Sequence, residues 1–240
     1  MGIYDRDYVR YGNSADAAVR TFSNQVYSWM SIGLGLTALI AYGIARSGLF
    51  ITLMPFWWVF ALGTLGVGLC FNGALTRGSF TTVAGLFLAY ATLEGLFFGV
   101  TLPVYAAAYG GNLIWTAFAT ASVVFGGAVG YGVFTQSDLT SVGRILQFAL
   151  MGLIAVTLLF FVLSFFIDVT WMHLAISYIG LVIFTGLTAY DAQQIKAMSR
   201  QVSLGSPESY KMSLAMALKM YINVIMIFWY LLQIFSSRRD

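Results

Sequence analysis

Residues 145–167 read ILQFALMGLIAVTLLFFVLSFFI, a run of apolar residues without a single charged side chain. A helix needs about 20 consecutive apolar residues to cross the hydrocarbon core of a bilayer. This stretch has that length and that composition, so it predicts a transmembrane helix.

Six further runs of the same kind lie before and after it. In chain order, the seven runs are Val26–Ala45, Ile51–Phe71, Phe80–Val104, Asn112–Phe134, Ile145–Ile167, Trp171–Tyr190 and Leu214–Phe235. We therefore predict an all-α integral membrane protein whose seven-helix transmembrane bundle occupies residues 26–236. A polar segment, residues 1–25, precedes the bundle, and a short C-terminal tail, residues 237–240, follows it. Six spans plus one re-entrant segment is the alternative.

The composition excludes a soluble domain. Hydrophobic residues make up 60% of the chain and charged residues only 9%, whereas soluble domains carry about 25% charged residues. Too little polar surface therefore exists to cover a soluble core, and the lipid bilayer is the expected surrounding. The 25 glycines fit closely packed membrane helices, in which small residues let the backbones approach each other.

The sequence contains no pattern typical of an enzyme, a metal centre or a nucleic-acid-binding protein. The single His173 and the single Cys70 cannot supply a zinc site or a disulfide, and the sequence has no HExxH, CxxC or P-loop motif. The basic residues behind the net charge of +3 are scattered through short loops. We predict no enzymatic activity, no cofactor, no tightly bound metal and no nucleic-acid partner.

The distribution of basic residues predicts a cytoplasmic N-terminus, because cytoplasmic loops carry an excess of Lys and Arg. In this orientation the inner side holds Arg6, Arg10, Arg20, Arg77, Arg144, Lys196, Arg200 and Lys211, and the outer side holds Arg46, Arg238 and Arg239. The pair at the C-terminus opposes this orientation. The alternative with a re-entrant segment would place both termini inside.

Glu94 lies near the middle of the third span. An ionisable group in the hydrocarbon region costs roughly 2.5–3.5 kcal/mol on insertion scales and usually faces the bundle interior or a water path. Glu94 is either a carboxylate in a proton or cation pathway or a neutral acid hydrogen-bonded to a neighbouring helix. Gly95 and Gly99 beside it form a GxxxG spacing, which indicates a close helix contact.

Asp191 ends the sixth span, at the cytoplasmic edge in the predicted orientation. It is either an ordinary interfacial carboxylate, paired for example with Lys196, or part of a functional site. Arg77 is predicted in the loop after the second span, on the same side, where it would pair with Asp191 or bind lipid headgroups. Asn223 lies inside the last span, one turn after Lys219, and a buried Asn usually hydrogen-bonds across helices.

Residues 188–196, Thr-Ala-Tyr-Asp-Ala-Gln-Gln-Ile-Lys, close the sixth span. They are similar to the Tyr-Asp-x-x-x-Ile-Lys signature of the Bax inhibitor-1 family, also called the transmembrane Bax-inhibitor-motif family. Residues 135–140, TQSDLT, resemble the Asp-Leu-Ser/Thr of that family, and residues 217–223, ALKMYIN, resemble its Leu-Tyr-Leu-Asp. The order and spacing of the motifs agree along the whole chain, and the compact loops indicate the bacterial branch.

The resemblance implies six helices around a central, hydrophobic seventh, in a bacterial inner membrane. Bacterial members of the family are described as pH-sensitive calcium-leak channels. Their latch is a pair of aspartates joined by an arginine at the end of the second helix. Asp191 matches the first aspartate and Arg77 matches the arginine, but Asn223 stands at the position of the second aspartate.

Asn223 changes what this latch is expected to do. Two close carboxylates cannot both ionise comfortably, so they share a proton and respond to pH. Asn223 can donate a hydrogen bond to an ionised Asp191 but cannot titrate. We therefore expect weakened pH gating near neutrality, unless Glu94 supplies the missing titratable group. One carboxylate plus an amide is a poor calcium site, so only weak, transient contact of calcium or other cations with Asp191 is expected.

The competing hypothesis is a regulator that transports nothing, since some members of the family are associated with membrane proteases or stress responses. Residues 1–25 and the longest predicted connection, Ala192 to Ser213, would then contact a membrane-protein partner. A channel should depend on Asp191 and tolerate N-terminal truncation, whereas a regulator should show the reverse. An intramembrane enzyme has no paired catalytic aspartates to support it.

Overall fold

The computed structural model describes residues 3–163, 170–200 and 205–237. Within these ranges, side chains are described from residue 19 onward, except those of residues 161, 170 and 171. Its helices are α1 (Ile3–Ser47), α2 (Phe50–Leu53), α3 (Trp57–Arg77), α4 (Phe80–Tyr109), α5 (Gly111–Phe134), α6 (Thr140–Leu163), α7 (Thr170–Met198) and α8 (Pro207–Ser236). One 3₁₀ turn, Met54–Phe56, joins α2 to α3. Arg238 and Arg239, and with them most of the predicted C-terminal tail, lie outside the described residues.

Seven helical segments of the described chain are long and apolar enough to cross a membrane, which confirms the predicted number of spans. They are Val19–Ser47, Phe50–Arg77, Phe80–Tyr109, Gly111–Phe134, Thr140–Phe160, Met172–Met198 and Pro207–Ser236. The shortest of them has 21 residues, enough to span the hydrocarbon core. Their lengths favour seven spans over six spans and a re-entrant segment.

Three boundaries differ from the sequence prediction. The 192–213 connection is much shorter than predicted, because α7 continues to Met198 and α8 begins at Pro207. The Ala, Gln, Lys and Met residues that follow the apolar run are strong helix formers, so the helix outlasts the run. Arg77 is the last residue of α3 rather than a loop residue. From Ile3 onward, the polar N-terminal segment belongs to the same helix as the first span.

The chain forms two compact units. The first comprises Met1–Thr101 and Gln194–Lys219, and the second comprises Leu102–Gln193 and Met220–Asp240. Three of the helices, α4, α7 and α8, therefore contribute residues to both units.

In the first unit, α1 packs closely against α4 at Gly95 and Gly99. A Cβ atom on Gly95 would lie 2.8 Å from the Cβ of Ile40, and Gly99 is packed just as tightly one turn later. The hydroxyl of Thr37 donates a hydrogen bond across the same contact to the Ala91 carbonyl, at 2.9 Å. The GxxxG spacing therefore marks a close helix contact, as predicted.

The second unit has an apolar core to which α5, α6, α7 and α8 all contribute. Its buried residues are Leu113, Ala117, Ala121, Leu153, Ile183, Phe184, Leu187, Ile227, Tyr230, Leu231 and Leu232. Gly180, on α7, lies against the ring of Tyr230, on α8, so that the two helices approach closely. Of the seven apolar windows, that of α8 is the most buried, at 67%, as expected for a central helix.

Candidate ion-pathway site

Asp191 and Asn223 are joined by a hydrogen bond in the second unit. The amide nitrogen of Asn223 donates to Oδ2 of Asp191 at 2.8 Å. Both residues are buried, with exposed fractions of 5% and 4%. An ionised carboxylate only accepts hydrogen bonds, so the amide nitrogen rather than the amide oxygen faces it. The structure thus brings together the two residues that the family resemblance places in the latch.

Two glycines allow neighbouring helices to approach the α7 segment that carries Asp191. Gly132, on α5, lies against the backbone carbonyl of Ala189, where no Cβ would fit, and Gly143, on α6, lies against the ring of Tyr190. A side chain at either glycine would push the helices apart. These two glycines therefore define the surroundings of α7 immediately before Asp191.

Gln193, two residues after Asp191, attaches the α5–α6 loop to α7. Its Oε1 accepts a hydrogen bond from the backbone N–H of Leu139 at 2.9 Å, and its Nε2 donates to the carbonyl of Ser137 at 2.8 Å. The contact joins two of the three motifs, residues 188–196 and 135–140. The sequence analysis quoted both motifs but gave Gln193 no role, because spacing along the chain does not show which loop a side chain reaches.

Asp138 stabilises the start of α6 in the same loop. Its Oδ1 accepts a hydrogen bond from the backbone N–H of Thr140 at 2.9 Å. Hydrogen bonds from the Thr140 hydroxyl and from the Thr140 N–H lower the pKa of Asp138 below its usual value. Because its side chain is also exposed, Asp138 is an ionised surface group at neutral pH.

Arg77 and Glu94 lie in the first unit. The side chain of Arg77 is exposed at the end of α3. Glu94 is partly buried on α4, where it is hydrogen-bonded to Tyr90, one turn earlier. This hydrogen bond lies within one helix, whereas the sequence analysis considered a partner on a neighbouring helix. The joining of Arg77 to Asp191 stays a prediction.

Lys211 binds the end of α3, beside Arg77. Its Nζ donates to the carbonyl of Leu75 at 3.2 Å and to the carbonyl of Gly78 at 3.3 Å. A helix C-terminus attracts a cation because its carbonyls lack partners within the helix and carry the negative end of the helix dipole. The sequence analysis counted Lys211 only as a cytoplasmic charge, since nothing in the sequence indicated this distant contact.

Asp191 and Asn223 offer too few oxygen ligands to hold a calcium ion tightly. Calcium commonly takes roughly six to eight oxygen ligands, and Asp191 with Asn223 offers far fewer. Within the described ranges, no group of three or more His, Cys, Asp and Glu side chains could hold a metal ion. A permeation path needs only binding that is favourable enough to enter and weak enough to leave.

Comparison with known proteins gives the family. The family described as Inhibitor of apoptosis-promoting Bax1 matches residues 19–240. The chain belongs to the Bax inhibitor-1 family. The match covers all seven of the described membrane spans, and it confirms the family that the three motifs indicated.

Several bacterial proteins are similar to this Bax inhibitor-1 family member over nearly its whole length. A protein of Chlamydia muridarum is 50% identical over 237 residues, which cover 99% of this chain and 98% of that protein. Inner membrane protein YbhL of Escherichia coli strain K12 is 33% identical over 228 residues, covering 93% and 94%. A protein of Deinococcus radiodurans is 34% identical over 221 residues, covering 92% of each. The prediction of the bacterial branch is therefore confirmed.

Proposed function

We propose that this protein is a cation leak channel that conducts calcium or other cations across a bacterial inner membrane. The observation that carries the proposal is the buried hydrogen bond between Asp191 and Asn223 on two apolar helices, α7 and α8. A buried carboxylate on a membrane-spanning helix is costly and usually belongs to a functional path. The Escherichia coli relative is named an inner membrane protein, which supports a location in an inner membrane.

In this proposal the Asp191–Asn223 bond is the latch that keeps the pathway closed. The bond is lost when a cation or a proton competes with the Asn223 amide for Oδ2 of Asp191. Arg77 and Glu94 are assigned to the latch and to the pathway on the strength of the family resemblance. The N-terminus is cytoplasmic in this proposal, because that orientation places the larger number of basic residues inside.

Asn223 sets the pH response of the proposed latch. An aspartate pair shares a proton, so a latch made of two aspartates opens or closes as that proton is lost or gained. The amide of Asn223 keeps its hydrogen-bond donor at every pH between acid and neutral conditions. We therefore expect this channel to respond to acid less steeply than relatives with two aspartates.

Calcium flux in proteoliposomes tests the latch with the variant Asn223→Asp. Flux through this variant should change about tenfold or more between about pH 5.5 and 8, since a coupling of roughly 1.4 kcal/mol to one proton produces that ratio. Flux through the wild type should change much less. Asp191→Asn is the matched control, because it removes the only carboxylate of the pair and should abolish any pH response of the latch.

Two results would contradict this account of the latch. A wild-type response to acid as steep as that of Asn223→Asp would show that the amide does not weaken gating. A wild-type response that survives Asp191→Asn but disappears in Glu94→Gln would instead assign the titration to Glu94.

Flux in proteoliposomes and function in cells together separate a channel from a regulator. The observation that favours a regulator is α1, which begins at Ile3, well before the first apolar span. A regulator should conduct no calcium in proteoliposomes, should tolerate Asp191→Asn in cells and should lose function when residues 1–18 are removed. A channel should give the opposite result in each of these three measurements.

A further inference from the structure

A groove in the second unit lies between α5, α6 and α7. It has a volume of about 400 Å³, within the roughly 300–1,000 Å³ that small-molecule sites occupy. Its lining is almost entirely apolar and includes the buried Ala128 and Ala189 and the rings of Tyr131 and Tyr190. An apolar lining of this kind suits a hydrocarbon chain better than a polar solute.

The groove is open at the surface of two membrane-spanning helices, α5 and α6. Two of its lining residues, Tyr131 on α5 and Val142 on α6, are 58% and 49% exposed. Both lie within one turn of the ends of their helices, next to the polar loop of residues 135–139. The groove therefore lies where the hydrocarbon region meets the headgroups, so that an acyl chain inside it would have its headgroup beside this loop.

Two opposite charges lie at this end of the groove. Arg144 and Asp138 are both exposed, and both are close enough to Tyr190 to act on its hydroxyl electrostatically. Asp191 also acts on Tyr190, but it is buried and hydrogen-bonded to Asn223. The accessible charges are thus one guanidinium and one carboxylate.

The position of the carboxylate is fixed by Gln193. Its two hydrogen bonds hold the backbone on either side of Asp138, at Ser137 and Leu139. Leu139 also lines the groove. The side-chain amide on α7 therefore determines both the wall of the groove and the place of the charge beside it.

We propose that this groove binds a phospholipid with a phosphoethanolamine headgroup, with one acyl chain in the groove, the phosphate at Arg144 and the ammonium group at Asp138. A guanidinium forms strong, charge-assisted hydrogen bonds with phosphate, and a primary ammonium does so with a carboxylate. A choline headgroup has no N–H to donate, and a glycerol headgroup brings no positive charge to Asp138. The site is independent of the proposed channel activity.

Lipid retention by the full chain tests this site. The protein is reconstituted with equal amounts of phosphatidylethanolamine, phosphatidylcholine and phosphatidylglycerol of identical acyl chains, and the lipids that remain bound are counted by native mass spectrometry. The wild type should retain phosphatidylethanolamine in preference to both others. Val142→Trp should fill the groove and lose the bound lipid. Val123→Trp is the matched control, because Val123 is 75% exposed on α5 and does not line the groove.

Substitutions of the two charges test the headgroup without touching the apolar lining. Arg144→Gln should lower the retention of phosphatidylethanolamine about fivefold, the ratio that corresponds to roughly 1 kcal/mol for one basic residue at a membrane surface. Asp138→Asn keeps the hydrogen-bond acceptor for Thr140 but should abolish the preference over phosphatidylcholine. Arg46→Gln, an exposed arginine on α1, should change neither.

The proposal is overturned by any of three results. Equal retention of phosphatidylethanolamine and phosphatidylcholine by the wild type would exclude the role of Asp138. A preference for phosphatidylglycerol would show that the headgroup is recognised by positive charge alone. Unchanged retention by Val142→Trp would show that the bound lipid lies outside the groove.

Discussion

Gln193 and Asn223 show how single amide side chains organise the region around Asp191. Gln193 uses both ends of its amide, as acceptor and as donor, to hold one loop. Asn223 directs its donor at a carboxylate. A buried polar group that loses its partner costs roughly 1–3 kcal/mol. Substitution of either amide should therefore have a measurable effect, on loop stability for Gln193 and on gating for Asn223.

The variant Gln193→Ala should loosen the α5–α6 loop. It removes two hydrogen bonds, but water can replace part of them because the loop is largely exposed, so we expect the local opening free energy to fall by about 1–2 kcal/mol. Hydrogen exchange of the Leu139 amide should become faster by about tenfold. Gln194→Ala is the matched control on the next residue, and an equal effect of both variants would contradict the role of Gln193.

At the scale of helices, glycines allow close contacts between neighbouring helices within each unit. In the first unit, Gly95 and Gly99 bring α4 against α1, and in the second unit Gly132 and Gly143 bring α5 and α6 against α7. Lipid tails are as apolar as the side chains, so helices in a membrane associate through close packing rather than through the hydrophobic effect. Glycine at these positions thus stabilises the fold, because it permits close packing between the helices.

Gly95→Ala should destabilise the contact between α1 and α4. The new Cβ would lie 2.8 Å from the Ile40 Cβ and 3.0 Å from the Thr37 carbonyl oxygen, so the helices must separate. Overpacking of this kind costs about 1–3 kcal/mol, which corresponds to a decrease in Tm of about 2–4 °C for each kcal/mol. Gly85→Ala on the same helix is the control, since a Cβ there meets nothing within 4 Å. A stable Gly95→Ala protein would refute the close contact.

For the whole molecule, the seven apolar spans and the distribution of basic residues together predict a topology. An odd number of spans places the two ends of the spanning region on opposite sides of the membrane. The excess of Lys and Arg then favours the orientation with the N-terminus inside. The two connections that flank the second span, Phe50–Arg77, are suitable reporters, because they are short and largely exposed.

Cysteine labelling of intact cells tests this orientation in a Cys70→Ala background. Ser47→Cys, at the end of the first span, should react with a membrane-impermeant maleimide added outside. Ser79→Cys, between the second and third spans, should react only after the cells are opened. The reverse pattern would place the N-terminus outside, and labelling of both cysteines in intact cells would contradict the spanning of Phe50–Arg77.

Several features of this protein follow from the sequence alone because their physical cause is local. The number of spans depends on the length of each apolar run, and the runs from Val26–Ala45 to Leu214–Phe235 each locate one spanning segment. The family follows from three short motifs in order. The apolar run Trp171–Tyr190 did not predict that α7 continues to Met198, because the bilayer determines where apolar residues stop and not where a helix stops.

Only the tertiary structure decides which distant residues meet. Residue spacing along the chain does not predict the hydrogen bonds of Gln193 to the α5–α6 loop or of Lys211 to the end of α3. It does not predict the groove beside Tyr190 either. They depend on how closely helices approach, which glycines such as Gly132 and Gly143 permit. The sequence determines that a carboxylate lies at the end of an apolar helix, and the packing of α7 against α5, α6 and α8 determines its partners.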